Sequence, residues 1–318
     1  MKVTTTPSTQ VTATADPPAG ARRAIAERVV TYLPDNSLRR GYLSLFGDIV
    51  RELAENRYLT FQLFKRDVFA FYKQSLLGAF WIVFVPLITV GTFVLLRGSG
   101  VVEAGQIDAP YPVYAVIGVA IWQLFSAGLV AGANSLVLGG EMISRINFSK
   151  KALVIAAMGR TIVSFVVLLV LAVVLFAVYV SAGWAWSPSA ALLLVPLSLL
   201  PTLLLTVGLS FYLALLNGVV RDIGTMLSMV VTFLMLLTPV LYERPRPGPD
   251  AGSMAHLLAD ITEYNPMYYL VAAPRELVLE GAVVDVRGFA AACVFSVVVF
   301  GVALVSFHLT ETRIAERI

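Results

Sequence analysis

The chain has 318 residues, of which 58% are hydrophobic and only 14% charged, and it carries a net charge of +3 with a mean hydropathy of +0.83. Soluble domains carry about 25% charged residues, so this composition cannot coat a sphere in water. A soluble globular class is therefore excluded, and the surplus apolar surface must face lipid. The single cysteine, Cys293, rules out an intramolecular disulfide and a cysteine-based metal site. The two histidines, His256 and His308, stand far apart in sequence, so no metal centre is expected.

Residues 1–42 open the chain. Their first twenty are rich in Thr, Pro and Ala and lack the apolar core of a secretory signal. Such a composition buries too little surface to offset ordering entropy, so a disordered cytoplasmic tail is expected. Residues 43–75 read differently. Phe46, Ile49, Val50 and Leu53 recur at helical spacing, with Asp48, Arg51, Glu52 and Glu55 on the opposite face. Dense aromatics and Lys65, Arg66 and Lys73 follow. This is the pattern of an amphipathic helix lying in the membrane interface.

Six apolar runs follow within residues 76–308, at about 76–96, 111–138, 160–182, 190–216, 223–242 and 288–308. Each is long enough to cross the roughly 30 Å hydrocarbon layer as a helix. A helix is required because an isolated strand leaves its backbone polar groups unpaired in lipid. Pro86, Pro196 and Pro201 fall inside runs, where each removes a backbone donor. Between the last two runs, residues 243–287 hold two short apolar pieces, Met254–Ile261 and Met267–Leu279, joined around Tyr264-Asn265-Pro266. A residue before proline avoids helical angles, so a break is predicted at Asn265. Pieces too short to span predict re-entrant gate helices. Residues 309–318 are a short tail. The expected class is therefore an all-α integral membrane protein with six transmembrane helices.

Charge orients it. Of the 23 Lys and Arg residues, 18 fall before the first run, between runs two and three, between runs four and five, or in the final tail. The other five are Arg97, Arg244, Arg246, Arg275 and Arg287. The positive-inside rule then predicts cytoplasmic termini. The run interiors hold essentially no ionisable residues, which disfavours a proton relay or an ion pump. No G-x-x-x-x-G-K-[ST] loop and no G-x-S-x-G elbow occur, so neither nucleotide phosphates nor acyl chemistry has its usual cradle.

Phe64-Lys65-Arg66-Asp67-Val68, then Phe71 through Gly78, Trp81 and Pro86, resemble the entry signature of type 2 ABC exporter permeases, closest to the branch exporting O-antigen, capsule and teichoic-acid polymers. The stretch Ile143–Lys151 resembles the coupling segment of that family. Arg221-Asp222, Thr238-Pro239-Val240-Leu241-Tyr242 and Asn265-Pro266-Met267-Tyr268-Tyr269 also agree with it. Where the family reads Phe-Pro-basic, this chain has Phe148-Ser149-Lys150-Lys151.

The resemblance implies a homodimeric channel for a lipid-linked glycan in the bacterial inner membrane, driven by two separate ATP-binding cassette subunits. The chain itself is then not an enzyme and needs no cofactor, metal or nucleic acid. Lys65, Arg66, Asp67, Glu141, Arg145, Lys150 and Lys151 would couple to the ATP-binding subunit. Basic Lys73 and Arg57 would meet the lipid-carrier phosphates. Trp81, Trp122, Tyr212, Tyr242, Tyr264, Tyr268 and Tyr269 are path and gate candidates, since sugars stack on aromatic faces, and interfacial anchoring is the alternative role. Asn217 and Asn265, at run ends, are expected helix caps. Two other functions fit the outline. One is a type 2 permease for a drug or small lipid. The other is a membrane-embedded glycosyl- or acyltransferase, for which Asp260 and Glu263 are the close extracytoplasmic acidic pair.

Overall fold

A computed structural model describes residues 42–73, 78–100, 107–145, 148–248 and 252–314. Most of the N-terminal tail (1–41), the C-terminal residues 315–318 and the start of the first run (Leu76 and Leu77) lie outside the described residues, as do the side chains of Lys73 and Arg145.

The described residues form helices and connections, with no strand among them. The helices are α1 (Tyr42–Glu55), α2 (Arg57–Lys73), α3 (Gly78–Gly98), α4 (Tyr111–Leu138), α5 (Gly140–Arg145), α6 (Lys150–Ala157), α7 (Gly159–Ser181), α8 (Val195–Val219), α9 (Asp222–Leu237), α10 (Ser253–Tyr264), α11 (Pro266–Leu279) and α12 (Val286–Ile314). A 3-10 turn, Ala190–Leu194, leads into α8. Among the described residues, five stretches are long and apolar enough to cross a membrane: Phe80–Gly98, Tyr111–Leu138, Lys150–Ser181, Ala190–Val219 and Val286–Thr310.

The fifth apolar run departs from its expected form. Expected to be helical to Tyr242, it is a helix of 16 residues that stops at Leu237. At about 1.5 Å per residue it measures about 24 Å, short of the hydrocarbon thickness. The cause is Pro239. The residue before a proline is driven out of helical space, and Thr238 sits at φ −98°, ψ 127°. The same rule separates α10 from α11, where Asn265 sits at φ −83°, ψ 107°.

α4 is the axis of the bundle, mostly buried and packed against α7 and α8, with α12 on the other side of α8. Lipid removes the hydrophobic drive between helices, so close backbone approach must hold them. Gly208 of α8 supplies such an approach, because a Cβ there would meet the Phe300 Cα of α12 at 2.7 Å. The outer faces are apolar instead of polar, with Val170, Val173, Phe233 and Val298 all exposed.

Two apolar clusters divide the core, one running from the Tyr111 end of α4 as far as Ala133 and the other at the opposite end of that helix. One gathers Tyr114, Trp122, Val240, Leu241 and Leu270. The other gathers Ile49, Leu63, Val154, Phe211 and Phe307, and so ties α1, α2 and α6 to α8 and α12.

Candidate functional site

At the first end, the chain leaving α9 turns and bends through Pro239, Val240, Leu241 and Tyr242. Its carbonyls have lost helical partners and need donors. Each is met. Arg275 of α11 donates Nη1 to the Val240 carbonyl at 2.9 Å and Nη2 to that of Pro239 at 3.5 Å. The Tyr111 hydroxyl donates to the Leu241 carbonyl at 2.8 Å, and that of Tyr114 to the Tyr242 carbonyl at 3.1 Å. Arg275 is 4% exposed and its guanidinium lies 3.8 Å from the Tyr114 ring centroid, a cation–π contact that helps a desolvated charge. Gly118 of α4 makes room, because a Cβ there would meet the Val240 carbonyl oxygen at 2.5 Å and Arg275 Nη1 at 3.1 Å.

Asn265 locks the same hub from the other side. Its Oδ1 accepts from Met267 N at 3.0 Å, capping α11 as expected, while its Nδ2 donates to Thr238 Oγ1 at 2.8 Å. The two pre-proline breaks are thus bonded to each other. Tyr269 donates its hydroxyl to the Glu263 carbonyl at 2.9 Å and lays its ring against Gly288. Tyr268 packs edge-on against it at 4.9 Å, and burial pushes the Tyr268 phenol up to about 12, so it stays a donor.

At the opposite end, Lys151 of α6 is 0% exposed and donates to Glu52 of α1 at 2.9 Å. His308 of α12 lies 3.7 Å from the same carboxylate oxygen. On α2, Arg66 pairs with Asp67 at 2.8 Å and reaches Met142 Sδ of α5 at 3.8 Å. Ser149 precedes α6 with φ −65°, the angle that a proline ring would impose. A proline could therefore adopt the backbone angle that Ser149 has here.

A family model described as ABC-2 type transporter matches residues 58–279. The chain belongs to the ABC-2 type transporter family. The match runs from the first turn of α2 to the last residue of α11, and so takes in the Arg275 hub and the turn before α6. Among curated proteins, the chain is 27% identical over 270 residues to the O-antigen export system permease protein RfbA of Myxococcus xanthus, covering 85% of this chain and 99% of that one. It is 23% and 21% identical to two proteins of the same description from Klebsiella pneumoniae, each over 68% of this chain and 78% of theirs.

In this ABC-2 transporter chain the candidate residues separate by place. Lys65, Arg66 and Glu141 are exposed, with Asp67 and Lys150 half-buried beside them, and all belong to α2, α5 and α6. Lys151 does not share that surface. Its ammonium is buried against Glu52 of α1. Arg57 is exposed at the start of α2. Trp122, 3% exposed, is packed in the α4 core against Phe125 at 5.5 Å, so within one chain it is neither an interfacial anchor nor open to a path. Trp81 is 49% exposed on α3 among Phe80 and Phe84, and Tyr212 is exposed on α8. Tyr242 is half-buried, with its hydroxyl donating back to the Leu236 carbonyl at 2.8 Å. Tyr264 is 86% exposed, whereas Tyr269 is buried.

Asn217 is more than a cap for its own helix. Nδ2 donates to Asn134 Oδ1 at 3.0 Å and to the Ala133 carbonyl at 3.1 Å, while Oδ1 accepts from Gly224 N at 2.8 Å, knotting α8, α4 and α9. Glu263 is ion-paired with Arg244 at 3.1 Å, so Asp260 and Glu263 do not form the pair of free carboxylates a transferase would need. Sequence reasoning passed over Arg275 as a keystone, although an arginine in an otherwise apolar segment was the signal. It also passed over Trp184 and Trp186, two indoles in one short loop.

Proposed function

We propose that the chain is the channel-forming subunit of an ATP-driven exporter that moves a lipid-linked polysaccharide of the O-antigen type across the bacterial inner membrane. It works as a homodimer with two ATP-binding subunits docked on the α2–α5–α6 surface, and both termini are cytoplasmic. The observation that carries the reading is the 270-residue similarity to an O-antigen export permease, nearly the whole of that protein. Supporting it, the exposed side of α9 is apolar at Met229, Phe233 and Leu236, as a lipid-facing or subunit-facing helix must be.

A sixth crossing is built from α9 and the non-helical residues 238–242. Irregular backbone at that depth is tolerated where protein satisfies it, which is the service Arg275, Tyr111 and Tyr114 perform. α10 and α11 then dip back beside the exit as gate helices. ATP-driven closure pushes α2 and α6, and Glu52–Lys151 carries that push to α1.

Deleting the gene should abolish surface polymer, and the wild-type chain should restore it. Surface polymer unchanged in the deletion strain refutes the reading. Purified chain should hydrolyse ATP only with its partner subunit present. In a Cys293→Ala background, an impermeant thiol reagent applied outside should label Met254→Cys and not Glu141→Cys, and the reverse pattern would overturn the orientation.

A further inference from the structure

Beside the hub lies a chamber of about 620 Å³, within the roughly 300–1,000 Å³ range of small-molecule sites. Its walls come from residues 107–109, the loop between α7 and α8, residues 243–246 and the last turns of α11. Tyr114 and Arg275, which hold the broken span, also line it.

The lining has two characters. Trp184 and Trp186 supply indoles from the α7–α8 loop. Trp186 is fixed by donating its Nε1–H to the Val278 carbonyl at 3.1 Å and by standing edge-on to Phe176 at 4.4 Å. Trp184 stands against the same ring at 4.9 Å. The same walls carry four carboxylates, Asp108, Glu243, Glu276 and Glu280, and three guanidiniums, Arg244, Arg246 and Arg275. The guanidiniums serve the protein. Arg275 is committed to backbone carbonyls and Arg244 to Glu263 at 3.1 Å, while Arg246, largely exposed, stands 3.8 Å from Glu243. Asp108 and Glu280 are exposed at the chamber.

Three ligand classes can be weighed against these walls. An anion meets surplus carboxylate and cations already engaged. A purely apolar ligand strands carboxylates without water, which is costly. A sugar satisfies both characters, because its C–H face stacks on an indole while its hydroxyls donate to carboxylates. We propose that this chamber is an extracytoplasmic binding site for one or two units of an uncharged or amine-bearing saccharide, stacked on Trp184 with hydroxyls donated to Glu280 and Asp108. The proposal rests on the glycan-export reading and narrows it, because at this site a uronate or phosphodiester polymer is rejected. A sugar here sits on the Arg275–Tyr114 pair and so reports its presence to the broken span.

The test uses the full-length chain in lipid nanodiscs and isothermal titration calorimetry with mannotriose, glucosamine disaccharide and trigalacturonate. Mannotriose and the amino sugar should bind with Kd on the order of millimolar, and trigalacturonate at least tenfold more weakly. Trp184→Ala should weaken mannotriose binding at least tenfold, while Trp184→Phe, which keeps a ring and guards against misfolding, should retain it within about threefold. Glu280→Gln should narrow the neutral-to-anionic gap. No binding of the neutral and amino sugars, equal binding of trigalacturonate, or an unchanged Trp184→Ala variant overturns the proposal. The gene-deletion strain separates the two readings. Lost surface polymer with no sugar binding rejects the chamber alone, whereas unchanged surface polymer rejects the export reading whatever the calorimetry gives.

Discussion

Each end of the bundle buries a cation, and the two are satisfied in opposite ways. Arg275 is held by neutral groups, the carbonyls of a helix that proline cut short and the face of Tyr114. Lys151 is held by a carboxylate, Glu52, on a helix 99 positions earlier in the chain. The planar fork of arginine reaches two carbonyls at once, which a lysine point charge cannot do. The first cation therefore repairs backbone and fixes one conformation. The second joins two elements far apart in sequence, α1 and α6, through an ion pair whose partners can part if both reach water. A rigid hub at one end and a breakable joint at the other would suit the proposed machine, pushed from one end.

The largest expected effect comes from breaking the rigid side. Arg275→Leu leaves the Pro239 and Val240 carbonyls without donors, at about 1–3 kcal/mol each, and loses the contact with Tyr114. A loss of about 4 kcal/mol is expected, seen as a collapse of the thermal-unfolding midpoint and of correctly inserted protein. Arg275→Lys should recover only part of it. A variant as stable as wild type would show that the carbonyls of residues 239 and 240 are satisfied some other way.

The breakable side should respond asymmetrically. Glu52→Gln takes the carboxylate from a fully buried ammonium, at about 3 kcal/mol. Lys151→Met removes the partner of a carboxylate that is partly exposed and also faces His308, and costs less, about 1 kcal/mol. The double variant should be milder than Glu52→Gln alone, and additive losses would deny the coupling. Lys150→Glu, on the outer surface, should leave the fold intact and weaken docking of the ATP-binding subunit, measured by co-purification. This division separates two neighbouring lysines that sequence alone treats as equivalent.

Around the break between α10 and α11, Tyr269 and Tyr264 divide in the same manner. Tyr269→Phe removes the bond to the Glu263 carbonyl at about 1 kcal/mol, read by thermal shift. Tyr264→Ala removes an exposed ring and should leave stability unchanged while raising leakage of small solutes from proteoliposomes. Equal and normal tightness in both variants would make these tyrosines ordinary anchors.

Much of this architecture was legible in the chain. α4 occupies Tyr111–Leu138, the limits of its apolar run, because an uninterrupted run after Pro110 leaves the backbone one solution in lipid. The break at Asn265 was legible from Pro266. The break at Thr238 was equally written in Pro239 but was hidden because the apolar run continues through it to Tyr242, and hydropathy does not register backbone angles. Hydropathy also has no direction, so Trp122 in the core and Trp81 on the surface looked alike. The Lys151–Glu52 pair was not legible at all. Local spacing says nothing about which side of a turn faces a helix 99 residues away, and basic residues in a cytoplasmic loop read as solvated by default.

The smallest effect expected is a pH dependence at the outer end of α11. Burial is the main reason the Glu276 carboxyl is pushed up. The backbone N–H of Val284, bonded to it at 2.8 Å, works against that shift, as does Arg275, while Glu280 and Asp285 add to it. The same carboxylate faces Tyr268 and adds to the upward push that burial gives its phenol. An acid whose folded value is raised takes up a proton in the native state before the unfolded chain does. Below the unfolded value both states are protonated and nothing is gained. Between there and the raised folded value, native stability falls as pH rises, and above it the cost is complete. Glu276→Gln keeps a carbonyl to accept from Val284 and removes the charge. It should therefore exceed wild type in thermal stability by its widest margin at about pH 8, with the margin closing as pH falls toward about 4.5, the ordinary glutamate range. Because Glu280 is also pushed up, chiefly by burial, Glu280→Gln should show the same sign with a smaller margin, since that side chain is exposed. A margin that stays constant with pH, or a Glu276→Gln variant weaker throughout, would mean that the Val284 bond outweighs the burial of charge and that the carboxylate itself holds the end of α11.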